Sequence, residues 1–286
     1  MTINRFRIYV GPLGNLRPLP RHKQDESPRF AFTRPGASHV SLDGRTTIDM
    51  AGRTRRSWDL AWDWITEDDE TWIQGLMRRA ANSELRLMDP RKRNLAPEDV
   101  SGGGSATGST GAFTKTGSAT LAWTAGTVPT DLDGLVAGRL VWTGVVNTDT
   151  LYGTTERLPV LSGSTYRVSA YVKTTTTFRF SARPFNTAGA EQTTVTDATN
   201  NASTAGVWTR LSWLYTPAAG IASAYLGVTA TGSGNIETTG WSFQVDESLK
   251  SWSYGYGCPA VVIPPVAQGG YWRNKYHKIQ LAIVEV

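Results

Sequence analysis

Trp58-Asp59-Leu60-Ala61-Trp62-Asp63-Trp64-Ile65 leads into Thr66-Glu67-Asp68-Asp69 and, after a helical stretch, into Leu85-Arg86-Leu87-Met88-Asp89-Pro90. The first segment alternates strictly. Trp58, Leu60, Trp62 and Trp64 fall on one face, and Asp59, Ala61 and Asp63 on the other, which is the period of a half-buried strand. Thr66-Glu67-Asp68-Asp69 is a capping-box-like start with acids in the first turn. Trp72, Ile73, Leu76, Met77 and Ala80 recur at helical spacing, and Arg78 and Arg79 suit the negative end of the helix dipole. The spacing predicts a helix over Thr66–Ala81, ended by Asn82-Ser83, and a second strand from Leu85. On composition the tryptophans of this unit are core residues.

Outward from this unit, Phe6, Ile8 and Val10 alternate with Arg5, Arg7 and Tyr9 as a short strand. Residues 15–29 are polar, basic and proline-containing, a loop or arm. Val40–Ile48 reads as a hairpin with Asp43-Gly44 at its tip. Beyond Pro90 the texture changes. Ser101-Gly102-Gly103-Gly104-Ser105 through Gly111 has the composition of a flexible linker. From Phe113 to Lys250 short strand-like runs alternate with turns, among them Gly138–Trp142, Thr165–Val172, Phe178–Ala182, Trp208–Tyr215, Ala224–Val228 and Trp241–Val245. This spacing argues a β-sandwich. The chain closes on Tyr276–Val286, with Ile279, Leu281 and Ile283 on one face and no local partner except Val261–Ile263. The economical solution returns this strand to the N-terminal unit and makes the middle an insertion. The expected fold is therefore mainly β: a split β-sandwich-plus-helix domain over 1–97 and 251–286, a linker over 98–111, and an inserted jelly-roll β-sandwich over 112–250.

Composition narrows the functional classes. The net charge is +5, but residues 101–250 hold nine basic and nine acidic side chains, so the whole excess lies in the flanks. Arg53, Arg55 and Arg56 cluster, as do Arg91, Lys92 and Arg93. No nucleic-acid motif accompanies them, and a solvated or subunit-facing loop is the expected setting. No apolar run is long enough to span a bilayer. Met1-Thr2-Ile3-Asn4-Arg5 lacks a hydrophobic signal region, so synthesis in the cytoplasm without secretory export is expected. Cys258, the single cysteine, excludes an intrachain disulfide and reads as a small buried hydrophobe.

The outer segments resemble the distal tail protein of long-tailed phages, on the strength of the Trp58–Trp64 strand, the capped helix, the Leu85–Pro90 strand and the closing Tyr276–Val286 strand. That resemblance implies a virion protein at the tail tip, assembled as a homo-oligomeric ring, usually hexameric, on the tail tube protein and its tail-tip neighbours. Many members of that family carry a second, outward-projecting sandwich. The middle resembles a jelly-roll carbohydrate-binding module through Leu158–Lys173, Trp208–Val228 and Phe243-Gln244-Val245-Asp246-Glu247. That implies display of a glycan-binding module for host adsorption. The alternatives are a glycan-binding accessory module of a cell-wall-processing protein, and an insertion with a purely structural role.

Sugar recognition needs flat apolar faces and a few planar hydrogen-bonding groups. By residue type the glycan-binding candidates are Trp142 and Tyr152 with Arg139 and Arg157; Trp123, Asn147, Asn186 and Gln192 are further ones. Trp142 follows Leu140 by two and is equally readable as core. Trp208 and Trp213 stand at opposite parity on one strand, so at most one faces a core. Catalysis has little support: no Gly-x-Ser-x-Gly, Walker or His-Glu-x-x-His pattern occurs, and no catalytic residue is assigned. Asp131, Asp133, Asp149 and Glu156 read as solvated loop acids rather than a glycosidase pair. No cofactor is expected beyond a structural Ca2+, for which Asp246 is the one weak ligand candidate.

Overall fold

The structure, a computed structural model, describes all residues except 1, 2, 5, 22–28, 34, 35, 41–45, 51–54, 80–83, 106, 205, 246, 247, 265–267 and 273–275. The chain forms two compact units. One is discontinuous and comprises Tyr9–Pro12, Arg17–Leu87 and Pro259–Val286; the other comprises Met1–Ile8, Leu13–Leu16 and Met88–Cys258.

The discontinuous unit contains β1 (Tyr9–Pro12), β2 (Arg17–Pro18), β3 (Arg29–Thr33), β4 (Gly36–Val40), β5 (Thr46–Met50), β6 (Arg55–Ile65), α1 (Glu67–Arg79) and β7 (Leu85–Met88). Numbering resumes there, after the other unit, with β18 (Ala260–Val262), β19 (Gln268–Trp272) and β20 (Tyr276–Glu285). Strand order in its main sheet is β2-β1-β7-β18-β20-β6-β3, with β19 on β20, while β4 and β5 pair as a separate hairpin. The predicted tip of that hairpin, Asp43-Gly44, lies outside the described residues.

The final strand runs antiparallel to the tryptophan strand, with Ile283 opposite Trp58, Leu281 opposite Leu60 and Ile279 opposite Trp62. Trp58, Leu60, Trp62, Leu281 and Ile283 are all buried. The Trp62 indole N–H donates to the Pro20 carbonyl at 3.0 Å, so the ring is polar-satisfied in the core. Strict alternation stops at Trp62. The pairing with β20 slips between Ile65 and Trp62, a bulge that adds a residue to β6 and returns Ile65 to the buried face. The side chains of Asp63 and Trp64 lie outside the described residues. Helix α1 starts where the acids predicted, with the Asp69 N–H donating to Thr66 Oγ1 at 3.2 Å. It buries Ile73 and Leu76.

The second unit contains α2 (Glu98–Ser101), β8 (Phe113–Lys115), β9 (Thr120–Ala125), β10 (Gly138–Val145), β11 (Thr150–Pro159), β12 (Tyr166–Thr174), β13 (Phe178–Asn186), β14 (Val195–Thr196), β15 (Thr209–Tyr215), β16 (Ile221–Ala230) and β17 (Gly234–Gln244). They form two five-stranded sheets, β15-β12-β17-β10-β9 and β14-β13-β16-β11-β8. Most connections after β10 cross from one sheet to the other, and the result is a jelly-roll β-sandwich. Between the sheets lie Trp142, Tyr166, Phe178, Phe180, Trp241 and Phe243, with the Phe180 and Trp241 rings edge-on at 6.4 Å. Such edge-to-face pairs stabilise beyond their buried area.

Two expectations about boundaries are corrected. The sandwich unit takes Met1–Ile8, Leu13–Leu16 and Met88–Cys258, not 112–250 alone. The Ile3 N–H donates to Ser164 Oγ at 3.2 Å, and Ile3 and Ile8 are buried. The stretch 98–111 is no free linker either. Glu98–Ser101 is helical, Val100 is buried, and Gly102, Gly103 and Gly104 are buried too. The glycines serve close packing: a Cβ on Gly103, whose φ is +59°, would stand 3.1 Å from the Thr239 Cα.

Candidate functional site

The four residues singled out as glycan ligands do not converge. Trp142 is fully buried between the sheets, as the parity of its strand requires: Leu140 and Trp142 point inward, Arg139 and Val141 outward. A ring with no exposed face cannot stack on a sugar, so its assignment as a ligand is withdrawn. Tyr152 points outward from the β13 sheet but is only 4% exposed, over Gly227. It is corrected from an exposed platform to a covered ring. Arg157 lies on that same outer face, while Arg139 lies on the outer face of the opposite sheet. Asp246 is outside the described residues, and among the described residues no three His, Cys, Asp or Glu side chains group as metal ligands.

The outer face of the β12 sheet is the better-built surface. Register places Ala122, Val141, Glu237 and Lys173 in one row across four strands, and Trp208 just precedes Thr209, which pairs with Val172. At about 4.8 Å per strand such a row is roughly 19 Å wide, the length of several sugar rings. Glu237 is the centre of the row. Its Oε2 accepts from Arg139 Nε, and its Oε1 pairs with Lys173 Nζ at 2.8 Å. The three side chains are 14%, 19% and 20% exposed for Arg139, Glu237 and Lys173. The Lys173 ammonium also sits 5.5 Å from the centre of the Trp208 ring. The buried Trp208 indole N–H finds no acceptor among the described residues.

One side of this face is walled. The connection after β9, with a short 3-10 turn at Thr130–Leu132, lays Leu132 and Val136 on Tyr171, and Val128, Trp208 and Trp252 pack against them. The Tyr171 hydroxyl donates to Asp131 Oδ2 at 2.9 Å, and the Arg210 guanidinium lies 5.6 Å from its ring. Burial and then the Asp131 hydrogen bond push the Tyr171 phenol up, while burial pulls Arg210 below the usual guanidinium range. Gly240 makes this wall possible. Its φ is +60°, and a Cβ there would meet Leu132 Cδ1 at 2.5 Å and Tyr171 Cδ2 at 2.8 Å. It sits where the β12–β17 register shifts between Ser169 and Tyr171.

The result is a strip of half-buried charged groups held in fixed orientation, bordered by Trp208. Fixed, planar donors and acceptors beside an apolar ring suit hydrogen bonding to hydroxyl-rich ligands. Sequence reasoning singled out Arg139 but not Glu237, Lys173, Tyr171 or Arg210. Their signal was outward parity on β12 and β17; their pairing depends on register between strands far apart in sequence.

No protein-family model matches the chain, and no curated protein matches it. Among solved structures it is similar to the CBM22-1 xylan-binding domain of Paenibacillus barcinonensis Xyn10C, at 17% identity and a TM-score of 0.38, over 50% of this chain and 90% of that one. It is also similar to a xylan-binding domain from CBM 22, at 15% identity and a TM-score of 0.42, over 56% of this chain and 100% of that one. A third is the enzymatically active domain of bacteriophage CBA120 tailspike protein 4, at 16% identity and a TM-score of 0.41, over 55% of this chain and 22% of that one. Likenesses of this strength carry no argument about ligand or assembly; the jelly-roll assignment stands on the two sheets described above.

Proposed function

We propose that the chain is a non-catalytic glycan-binding protein, its sandwich presenting the outer face of the β12 sheet to a polysaccharide. The observation that supports this is Glu237, held between Arg139 and Lys173 with Trp208 beside them on the outer face of the sheet. Arg139 and Lys173 supply donors, Glu237 supplies acceptors, and Trp208 supplies an apolar flank. A single aromatic contact of this kind contributes on the order of 1 kcal/mol. One site is then weak, and several copies on one scaffold give the avidity that adhesion needs.

The accessory-module reading, in which the sandwich tethers a partner activity to a cell-wall polysaccharide, needs no more support than this face. A second reading adds the setting. The tryptophan strand, the capped helix, β7 and the returning β20 belong to one discontinuous unit. That arrangement supports a carrier of the distal-tail type, which would display the sandwich from a homo-oligomeric ring on a tail tube.

The test is affinity electrophoresis of the full chain through gels containing neutral cell-wall polysaccharides, beside Trp208→Ala and Glu237→Gln. Retardation of the parent and its loss in both variants supports the site. Equal retardation of all three would place binding elsewhere, and no retardation on any polysaccharide would end the glycan reading. Mass photometry of the full chain distinguishes the settings: a ring supports the tail-tip carrier, a monomer the accessory module.

A further inference from the structure

The opposite face of the sandwich carries a different chemistry. The outward positions of the β13 sheet hold Arg179, Arg183 and Phe185 on β13, Tyr225 on β16 and Tyr152 on β11. The β11–β16 register shifts between Gly153 and Leu158, and the irregular segment brings Arg157 over the same face. Its guanidinium lies 3.9 Å from the centre of the Phe185 ring and 5.9 Å from that of Tyr225. Phe185 and Tyr225 meet edge-on at 5.3 Å and form a fixed bed beneath it. Arg183 lies 6.0 Å from the Phe185 ring, and Arg179 Nε donates to Asn200 Oδ1 at 2.6 Å.

On this face the Glu191 carboxylate pairs with Arg183. That pair is at the rim, its side chains 35% and 45% exposed for Arg183 and Glu191, where solvent weakens ion pairing. The Arg183 hydrogen bond, with a smaller contribution from the nearby Arg157 charge, holds the Glu191 carboxyl below the usual range, so its one negative charge stands against the three guanidiniums of Arg157, Arg179 and Arg183. The face is locally cationic although residues 101–250 balance overall.

We propose that this second face binds an anionic polysaccharide, whose carboxylate or phosphate groups meet Arg157, Arg179 and Arg183. Guanidinium presents a planar fork of donors to either group, and stacking on Phe185 holds Arg157 flat before the ligand arrives. The chemistry disfavours single-stranded nucleic acid. Phe185 and Tyr152 are buried and Arg157 covers Phe185, so these rings offer no open platform for a base. The surface reads charge, not stacking.

The experiment titrates the full chain with polygalacturonate, poly(glycerol phosphate), neutral dextran and oligothymidylate, at low and at physiological salt. Binding of one or both polyanions, weakened by salt, is expected, with dextran unbound by this face; the two polyanion arms separate carboxylate from phosphate recognition. Arg157→Gln and Arg179→Gln should each weaken polyanion binding about tenfold, the loss of one charge-assisted contact. Glu191→Gln, which frees Arg183, should strengthen it. Trp208→Ala should leave it unchanged, which separates this face from the neutral-glycan site. If Arg157→Gln does not fold, Arg179→Gln and Glu191→Gln decide. Failure of both polyanions to bind, binding unchanged in the arginine variants, or equal affinity for oligothymidylate overturns the proposal.

Discussion

The Phe243 N–H donates to Asn94 Oδ1 at 3.0 Å, and the Leu95 N–H returns to the Phe243 carbonyl at 2.8 Å. Asn94 completes the arrangement by donating through Nδ2 to the Trp241 carbonyl at 2.9 Å and to the Ser253 carbonyl at 2.8 Å. One buried amide thus ties the chain entering the sandwich to its last strand and to the chain leaving it. Asn94→Ala leaves at least two buried backbone groups without partners, and a loss of about 2–4 kcal/mol in urea unfolding is expected. Asn94→Asp should cost as much, because a carboxylate cannot donate to two carbonyls. Wild-type stability in both would mean that water replaces the amide freely.

How far the sequence was legible follows from residues of this kind. Alternation alone was enough for β12 and for β6 as far as Trp62, because each has one face in a core; of β17 it reached only the end from Trp241, since the register shift at Gly240 breaks the period before it. It also contained the answer for Trp142, whose parity with Leu140 put it inside. The glycines at 102–104 misled, because composition does not separate a glycine chosen for flexibility from one chosen for close approach. Tyr152 misled because residue type does not report exposure: its ring points outward yet is covered. The Lys173–Glu237 pairing was unreadable: it depends on the register of two strands more than sixty positions apart, fixed by packing rather than by any local signal.

Trp142→Ala should cost about 3–5 kcal/mol, the usual range for emptying a large aromatic site in a core. Chemical denaturation measures it. The same variant, where still folded, should keep its polysaccharide retention. A stable protein that has lost retention would return Trp142 to the site.

Gly240→Ala tests the wall beside the row. The substitution meets Leu132 and Tyr171 and demands a left-handed backbone of an L residue, so about 1–3 kcal/mol should be lost. Because the displaced atoms carry the Tyr171–Asp131 contact, retention on neutral polysaccharide should fall with it. Unchanged retention would detach the wall from binding.

Tyr215 provides a pH test. Its hydroxyl is buried and without a partner among the described residues, and burial pushes its phenol from 10 up to about 12. The unfolded chain releases that proton near pH 10, the folded chain two units later. Stability from this group is complete below pH 10 and is lost as pH rises through 12, at about 1.4 kcal/mol per pH unit within that window. Tyr215→Phe should flatten that slope and leave stability at pH 7 equal or raised, since no hydrogen bond is removed. Phenolate absorbance and urea midpoints at pH 9 and pH 11 decide it; identical slopes would place the alkaline loss on other tyrosines.

Excision tests the discontinuous unit. The Leu87 N–H donates to the Pro259 carbonyl at 3.1 Å, and Leu85 pairs with Val261 across β7 and β18. The two ends of the interruption are therefore neighbours within one sheet, and a Gly-rich bridge of a few residues can span them. Cutting at 88 and 258 also removes Asn94, Val100 and the 251–258 segment, which belong with the sandwich. Cutting at 101 and 250 would strand them with buried groups exposed. The bridged chain should fold cooperatively, with the fluorescence of Trp58 and Trp62 blue-shifted as buried indoles are. The 101–250 deletion should be less stable or aggregate. If the 101–250 deletion folds as well as the 88–258 deletion, residues 88–100 and 251–258 do not need the sandwich to cover them and do not belong to its unit. If neither folds, β20 does not close its sheet without the sandwich.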